Sequence, residues 1–502
     1  MLHHLAACVS VYISYLFLVY TPNVSFVMDV HHIKTTVILE QDIKSIASLP
    51  YSATKSGETS PLPVWKERIH TFSWQWHIVV MATGTCSSLI HNFPYHNESL
   101  VLKAVALSLF LFDLVLFFLL CAWAVTRCTM FPKDRMLMFT DPATSLFIGF
   151  FTNGIATLIN AALSVNRDWG TGSTGFLYAL WGLWWLDCIL SCLVAFGLVY
   201  VMIGQRYNDL AQVRPTWMVP VITLITMSAS GGLFTRSLLP HSPTLALLSV
   251  SISITMLAIG LSFTMMLTTA FLLRLYLHGP LDATMVLSTF TTLTPLGQGG
   301  FSMLINGQDV STLFAQTALS DPARQLGGQI VYSVCICGAY VLWSMGLAWV
   351  AVAAFSICKQ AKELPRFKIS HWCIVVPNGV FASLSLQLAT ALNSSFFRAF
   401  GAVWACIVFV LWTGTFVRSI IGLWDGSIFA PPNPATTAAA SLEAGASTSL
   451  DELEKNSKLD LPEQIEVFIL PEGLTSEKGT DRESIAETLC VRSAETEHEM
   501  GS

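Results

Sequence analysis

Residues 295–301, PLGQGGF, set a proline and three glycines inside an apolar run that extends from Ala283 to Ile305. An interior glycine costs a helix about 1 kcal/mol relative to alanine, and an interior proline about 3 kcal/mol. Lipid cannot satisfy the backbone groups that such residues free. A cluster of them at membrane depth therefore belongs against protein or a water-filled cavity.

The rest of the chain places this run in a bilayer. Of 502 residues, 53% are hydrophobic and only 12% charged, with a mean hydropathy of +0.60; a soluble domain carries about 25% charged residues. Ten runs reach the length that spans a bilayer as a helix, about 20 residues. They lie near 74–93, 99–126, 141–164, 174–203, 215–235, 243–277, 284–305, 326–358, 371–392 and 395–424. The expected fold class is an all-α membrane protein, with ten transmembrane helices as five hairpins around a central pore. No short alternating segments of the kind that build an outer-membrane barrel are present.

Lysine and arginine orient the spans, because cytosolic loops carry the excess. Thirteen of them, including Lys66, Arg127, Arg214, Lys359 and Arg418, fall on one side and five, Lys103, Arg167, Arg236, Arg324 and Arg398, on the other. Both termini are then cytosolic, and the sequons at Asn97 and Asn393 lie outside. The expected organisation is an N-terminal extension over 1–71, a ten-helix domain over 72–427 and an acidic cytosolic tail over 428–502. After Ala430 the chain has a net charge of −10, against −6 for the whole, and its composition reads as disordered. The stretch LAACVSVYISYLFLVY near the start is apolar for only 16 residues; signal segment, peripheral helix and incorrectly joined exon all remain open for it. The cysteines lie mostly inside apolar runs and form no CxxC pair, so neither zinc nor a disulfide framework is indicated. No cofactor, metal or nucleic acid is expected.

The odd-numbered spans share small-residue clusters that the even ones lack: TGTCSSL around Gly84, TNGIATL around Gly154, SASGGLFT around Gly231, GQGGFSML around Gly299 and PNGVFASL around Gly379. One such cluster reads as helix–helix contact through small residues. Five of them on alternate spans favour a shared path, walled outside by the bulkier even spans. The candidate lining is Gly84 and Ser87, Asn153 and Gly154, Ser230 and Gly231, then Gly297, Gln298, Gly299 and Gly300, with Asn378 and Gly379. These positions offer hydroxyls, amides and backbone without a carboxylate, which suits an anion; a neutral solute remains an alternative. Asp113 and Asp187 lie within even spans, where a helix-to-helix hydrogen bond is the expected role. His77 and His371 sit near span ends as structural groups, and Arg274 is expected to snorkel.

Four stretches, PLGQGGF, WHIVVMATGTCSSLIHNFPY, FIGFFTNGIATLIN and HWCIVVPNGVF, resemble the fungal sulfite efflux pumps. These belong to the tellurite-resistance/dicarboxylate-transporter superfamily, which also holds malic acid permeases and plant slow anion channels. The resemblance covers about 72–425. It implies export of sulfite or bisulfite at the plasma membrane, and often a homotrimer with one pore per subunit. Two positions depart from the family. Val376 precedes Pro377 where a phenylalanine usually gates the pore, and Thr152-Asn153-Gly154 replaces a Pro-Met-Gly-like motif. With valine at the gate position, Phe301 or Phe381 is expected to occlude the lumen instead. A dicarboxylate permease or inorganic-anion channel is the alternative within transport. A membrane enzyme would show clustered His, Asp or Glu at one depth, and a receptor a large external domain; the sequence has neither.

Overall fold

The computed structural model describes residues 63–429, apart from 97, 133, 135–136, 142–143, 171–173, 205–209, 318–320 and 361–366. The N-terminal apolar stretch, the acidic tail and the sequon at Asn97 lie outside the described residues. The chain divides into Met1–His70 and Thr71–Ser502. Of the first unit, only Pro63 and the short helix Val64–His70 are described.

The second unit is all helical, with no strand among the described residues. Its ten long helices are α1 Ile78–His91, α2 Leu100–Met130, α3 Ile148–Trp169, α4 Thr174–Gly204, α5 Val219–Leu238, α6 Pro243–His278, α7 Leu293–Thr317, α8 Pro322–Gln360, α9 Val375–Ala391 and α10 Ser395–Trp424. Among the described residues, eight helices, taken with their lead-in turns, are long and apolar enough to cross a membrane; α1 and α7 are not among them. With 14 residues, α1 is about 21 Å long, short of a full hydrocarbon core. In α7 the stretch Asn306–Asp309 breaks the apolar run, yet Asn306 and Asp309 are buried.

Odd and even helices begin differently. Each odd helix is led in by a 3₁₀ turn: Trp74–His77, Ser145–Phe147, Pro215–Met218, Val286–Thr292 and Ile369–Ile374. Pro220, Pro295 and Pro377 then fall in the first α-turn, where a missing N–H costs little because first-turn donors lack an intrahelical partner. The even helices α6 and α8 instead start directly on Pro243 and Pro322, and Ser242 caps α6 by accepting from the Leu245 N–H at 3.4 Å. At the end of α3, Gly170 takes φ +57°, a left-handed cap suited to glycine.

The expected break within the seventh span is therefore relocated. PLGQGGF is continuous α-helix, and the irregular backbone is the 3₁₀ turn before it.

Each odd helix packs on the even helix that follows it, and α7 also lies against α5 and α9. Within the candidate spans, 67–94% of the odd-helix windows α3, α5 and α9 are buried, against 17–44% for the even helices. Tryptophan N–H groups fasten the two sets together. Trp184 donates to the Met227 carbonyl, Trp343 to Ser385 Oγ and Trp412 to Thr83 Oγ1, at 3.0–3.2 Å. Indole donors need a partner when buried, so these bonds fix helix rotation as well as contact.

Candidate functional site

One cavity collects residues from all five odd helices or their lead-in turns. Its wall is Ile78 and Met81, Phe150 and Asn153, Val219 and Ile222, Thr291 and Thr294, and Cys373, Val376 and Pro377, around a narrow space of about 20 Å³. It lies at the N-terminal ends of these helices, where helix dipoles present their positive poles. Among the described residues, no lysine, arginine, histidine or carboxylate lines it.

A stripe continues from this wall along otherwise buried helices. On α9 the residues in line with Val376 are Val380, Ser383 and Gln387, and the last two are half-buried. On α3 they are Thr157, Asn160 and Ser164, again half-buried. On α7 the face of Thr291 and Thr294 continues through Gln298 to a half-buried Phe301. A spacing of three to four residues keeps each series on one helix face.

Hydroxyls along the odd helices mostly satisfy themselves. Thr83, Thr85, Thr157, Thr226, Ser230, Ser383 and Ser385 each donate to a carbonyl three or four residues earlier in the same helix. Thr291, Thr294 and Gln298 make no hydrogen bond among the described residues, and the Oδ1 of Asn153 is buried without a partner. Other buried polar atoms without a partner among the described residues lie away from the cavity, among them Asn160 Oδ1, Asn166 Oδ1 and Thr289 Oγ1.

The glycines occupy other faces. A Cβ on Gly297 would stand 2.8 Å from the Phe381 backbone N, one on Gly300 would meet Leu384 at 2.8 Å, and one on Gly379 would meet Thr85 at 2.4 Å. Gly84 faces Thr157 and Asp113, Gly154 faces Val80, and Gly231 faces Trp184 and Ser253. Gly299 points at Leu261 of α6. These glycines are places where neighbouring helices touch.

Among the other expected lining residues, Asn153 and Val376 lie in the cavity wall. Ser87 turns to the Ala106 carbonyl of α2 at 2.8 Å, and Asn378 lies between the Ile374 carbonyl and the Trp404 indole of α10. Phe381 is fully buried and stacks on Trp343 of α8 at 6.0 Å, with Trp404 of α10 edge-on. It packs between α8, α9 and α10, whereas Phe301 keeps the face that leads from the cavity.

Among the ionisable residues, Asp113, Asp187 and Arg274 differ from expectation, whereas His77 and His371 have structural surroundings. Asp113 and Asp187 are buried, but neither carboxylate makes a hydrogen bond among the described residues. Arg274 does not snorkel; it donates to the Gly279 and Ala211 carbonyls. His371 accepts from the Lys368 N–H at 3.2 Å as part of a turn cap. His77 sits in an aromatic cage of Phe72, Trp74, Phe117 and Phe151.

At the opposite, C-terminal ends of the odd helices, ionic groups tie neighbours together. His91 of α1 meets Asp168 of α3 at 2.9 Å through Nδ1 and Arg167 at 2.6 Å through Nε2. Arg236 of α5 donates to Asp309 of α7 at 2.6 Å and to Gln308 at 2.7 Å. Sequence reading missed both ties, since the partners are about 70 residues apart and lie in or beside the loops.

A family model described as voltage-dependent anion channel matches residues 71–420, which contain all five odd helices and the cavity. The chain belongs to this family. Within it, the chain is 28% identical to the Sulfite efflux pump SSU1 of Trichophyton rubrum over 355 residues, 70% of this chain and 91% of that one. An uncharacterized transporter of Methanocaldococcus jannaschii is 25% identical, covering 72% of this chain and 96% of its own. The Malic acid transport protein of Schizosaccharomyces pombe is 20% identical, covering 69% and 77%. Membership supports anion transport across a membrane, in agreement with the apolar helices.

Proposed function

We propose that this protein exports sulfite or bisulfite across the plasma membrane, through a path at the centre of five helical hairpins. The carrying observation is the cavity to which every odd helix contributes its first turns. From there the path follows the half-buried stripe of α3, α7 and α9. Asn153, Val376 and Gln298 belong to its wall, with Ser230 and the glycine backbones behind it. The constriction lies at Val376 and Phe301. Both termini are cytosolic by the lysine and arginine bias, so the cavity is the cytosolic vestibule and the ionic ties stand at the outer mouth. The assembly is a homotrimer, each subunit with its own path, its lipid-facing surface formed by the even helices. Sulfite rather than another anion rests on the likeness to proteins named sulfite efflux pumps; a dicarboxylate permease is the second reading, from the likeness to the malic acid protein.

The test is flux by the purified protein in liposomes, with sulfite, malate, nitrate and chloride compared side by side. Sulfite flux that exceeds malate flux supports export of sulfite. Malate flux without sulfite flux moves the assignment to the permease. Mass measurement of the detergent-solubilised particle tests the trimer.

A further inference from the structure

Loops join each hairpin to the next, but the first and the last meet only by packing, α1 against α9 and α10. Toward the C-terminal end of α10 this seam is closed. The Trp412 indole donates to Thr83 Oγ1 of α1 at 3.1 Å, and Phe416 meets Phe112 of α2 edge-on with ring centroids 5.5 Å apart. Toward the N-terminal end of α10 the seam is open. There Ala402, Cys406 and Val410 face Phe93 and Tyr95, of the loop after α1, across a trough of about 530 Å³. Phe93 and Tyr95 belong to the NFPY stretch, which the path does not use. We infer that this trough binds one phospholipid, with its phosphate on Arg398 and one acyl chain between α10 and the NFPY loop.

Length and charge both point to that ligand. From Ala402 to Leu411 the trough runs about 14 Å along α10, which is half of a hydrocarbon core of about 30 Å. It is therefore one leaflet deep, in the leaflet where α10 starts, the outer one by the orientation proposed above. No charged residue lines it among the described residues. One turn before Ala402, toward the membrane surface, the same helix face carries the half-buried Arg398. Its guanidinium reaches only Asn393 Oδ1, at 3.5 Å. The other four cations on this side are engaged: Lys103 with Glu98, Arg236 with Asp309, Arg324 with Asp321, and Arg167 with His91 of the Asp168 pair. Among the described residues, Arg398 alone of the five lacks a carboxylate or imidazole partner. A guanidinium matches phosphate oxygens with paired N–H donors, and the apolar trough below it matches hydrocarbon. A sterol brings a hydroxyl instead of an anion and leaves Arg398 unpaired. Seated there, the lipid joins the first hairpin to the last over the half of the seam that Trp412 and Phe416 do not reach.

The experiment is native mass spectrometry of the delipidated full-length protein titrated with phosphatidylglycerol, with diacylglycerol and cholesterol as comparisons. One phosphatidylglycerol per subunit is expected to bind saturably, about ten-fold or more tightly than either comparison, since the bond to phosphate is charge-assisted. Arg398→Gln is expected to weaken that binding by about ten-fold, and Arg324→Gln, at the start of α8, to leave it unchanged. A second measurement uses the wild type alone. Bound phosphatidylglycerol is expected to shield Cys406 from a maleimide, while Cys337 and Cys358, exposed on α8, label as before. Equal binding by Arg398→Gln, equal binding of diacylglycerol or cholesterol, or Cys406 labelling that ignores the lipid overturns the site. Cys406 that is shielded in the lipid-free assembly and freed when subunits separate also overturns it, and gives the trough to a second copy of this chain. These outcomes are independent of which anion the path carries.

Discussion

α5 and α2 are both long and uninterrupted, yet 94% of the apolar window of α5 and its lead-in turn is buried against 17% of that of α2. The more apolar helix is the one left outside. In water the ranking would be reversed. In a bilayer, lipid is as good a solvent for leucine as a protein core, so apolar bulk earns no place inside. What goes inside is what lipid cannot serve: small residues that let backbones approach, hydroxyls and broken hydrogen-bond ladders. The same difference orders the consequences of substitution, since a change on an odd helix strikes another helix, whereas one on the outward face of an even helix strikes lipid.

The sharpest contrast is Gly297 against Gly182. Gly297→Leu drives a side chain into the backbone of α9, which cannot withdraw, whereas nothing lies within 4 Å of a Cβ on Gly182 of α4. The expected result is loss of nearly all folded Gly297→Leu protein, measured as the monodisperse fraction after extraction, and wild-type recovery of Gly182→Leu. Equal recovery of the two would break the comparison. Next, Val376→Phe adds bulk at the wall of a cavity of only about 20 Å³. It is expected to lower anion flux about ten-fold with recovery unchanged, while Phe301→Ala raises basal flux. Unaltered flux in both variants places the constriction elsewhere.

Ion pairs repeat the contrast on a smaller scale. Arg236→Ala leaves Asp309, 3% exposed, without its cation. The expected cost is roughly 2 kcal/mol, below that of a fully buried pair because Arg236 is itself 38% exposed. Asp309→Asn in the same background is expected to restore most of the lost melting temperature. The smallest effect belongs to Lys103 at the start of α2, whose partner Glu98 is 86% exposed. The hydrogen bond from Lys103 holds the Glu98 carboxyl below its ordinary range, so its contribution is present above the unfolded-state pKa and fades as pH falls through the folded-state value. For so exposed a pair Lys103→Gln is expected to leave the melting temperature unchanged at neutral pH and at pH 5 alike. A clear shift in either condition would show that an even-helix surface pair is structural after all.

The sequence carried the helix positions and the odd–even alternation well, because apolar length and small-residue clusters are local signals. It ended the seventh span at Ile305, where Asn306 and Asp309 break the apolar run. The helix continues to Thr317 because Arg236 and Ser228 of α5 receive those polar groups. Proline and glycine in PLGQGGF pointed to a break, but Pro295 sits in the first α-turn and the glycines serve helix contact. Phe381 pointed to the lumen by its distance from Gly379. Its direction depends on room made by Gly346 of α8, where an added Cβ would stand 2.7 Å from the ring, and no local pattern carries that. Thr291, Thr292 and Thr294 look alike in sequence; only helix geometry decides which hydroxyl bonds to its own backbone and which stays open.

The glycine contacts carry a mechanical meaning. Where helices touch through a missing Cβ, the spacing between axes is set by atoms that cannot shorten or fold away. The collar formed by α1, α3, α7 and α9 is then stiff, with its bore fixed at the moment of folding. On the path proposed above, opening and closing would fall to the few side chains that still have room to turn. Such turns take picoseconds to nanoseconds where a side chain is free, and slow only as far as its neighbours must yield. A passage of this kind would flicker, its throughput set by how often a single side chain stands aside rather than by a rearrangement of the whole molecule.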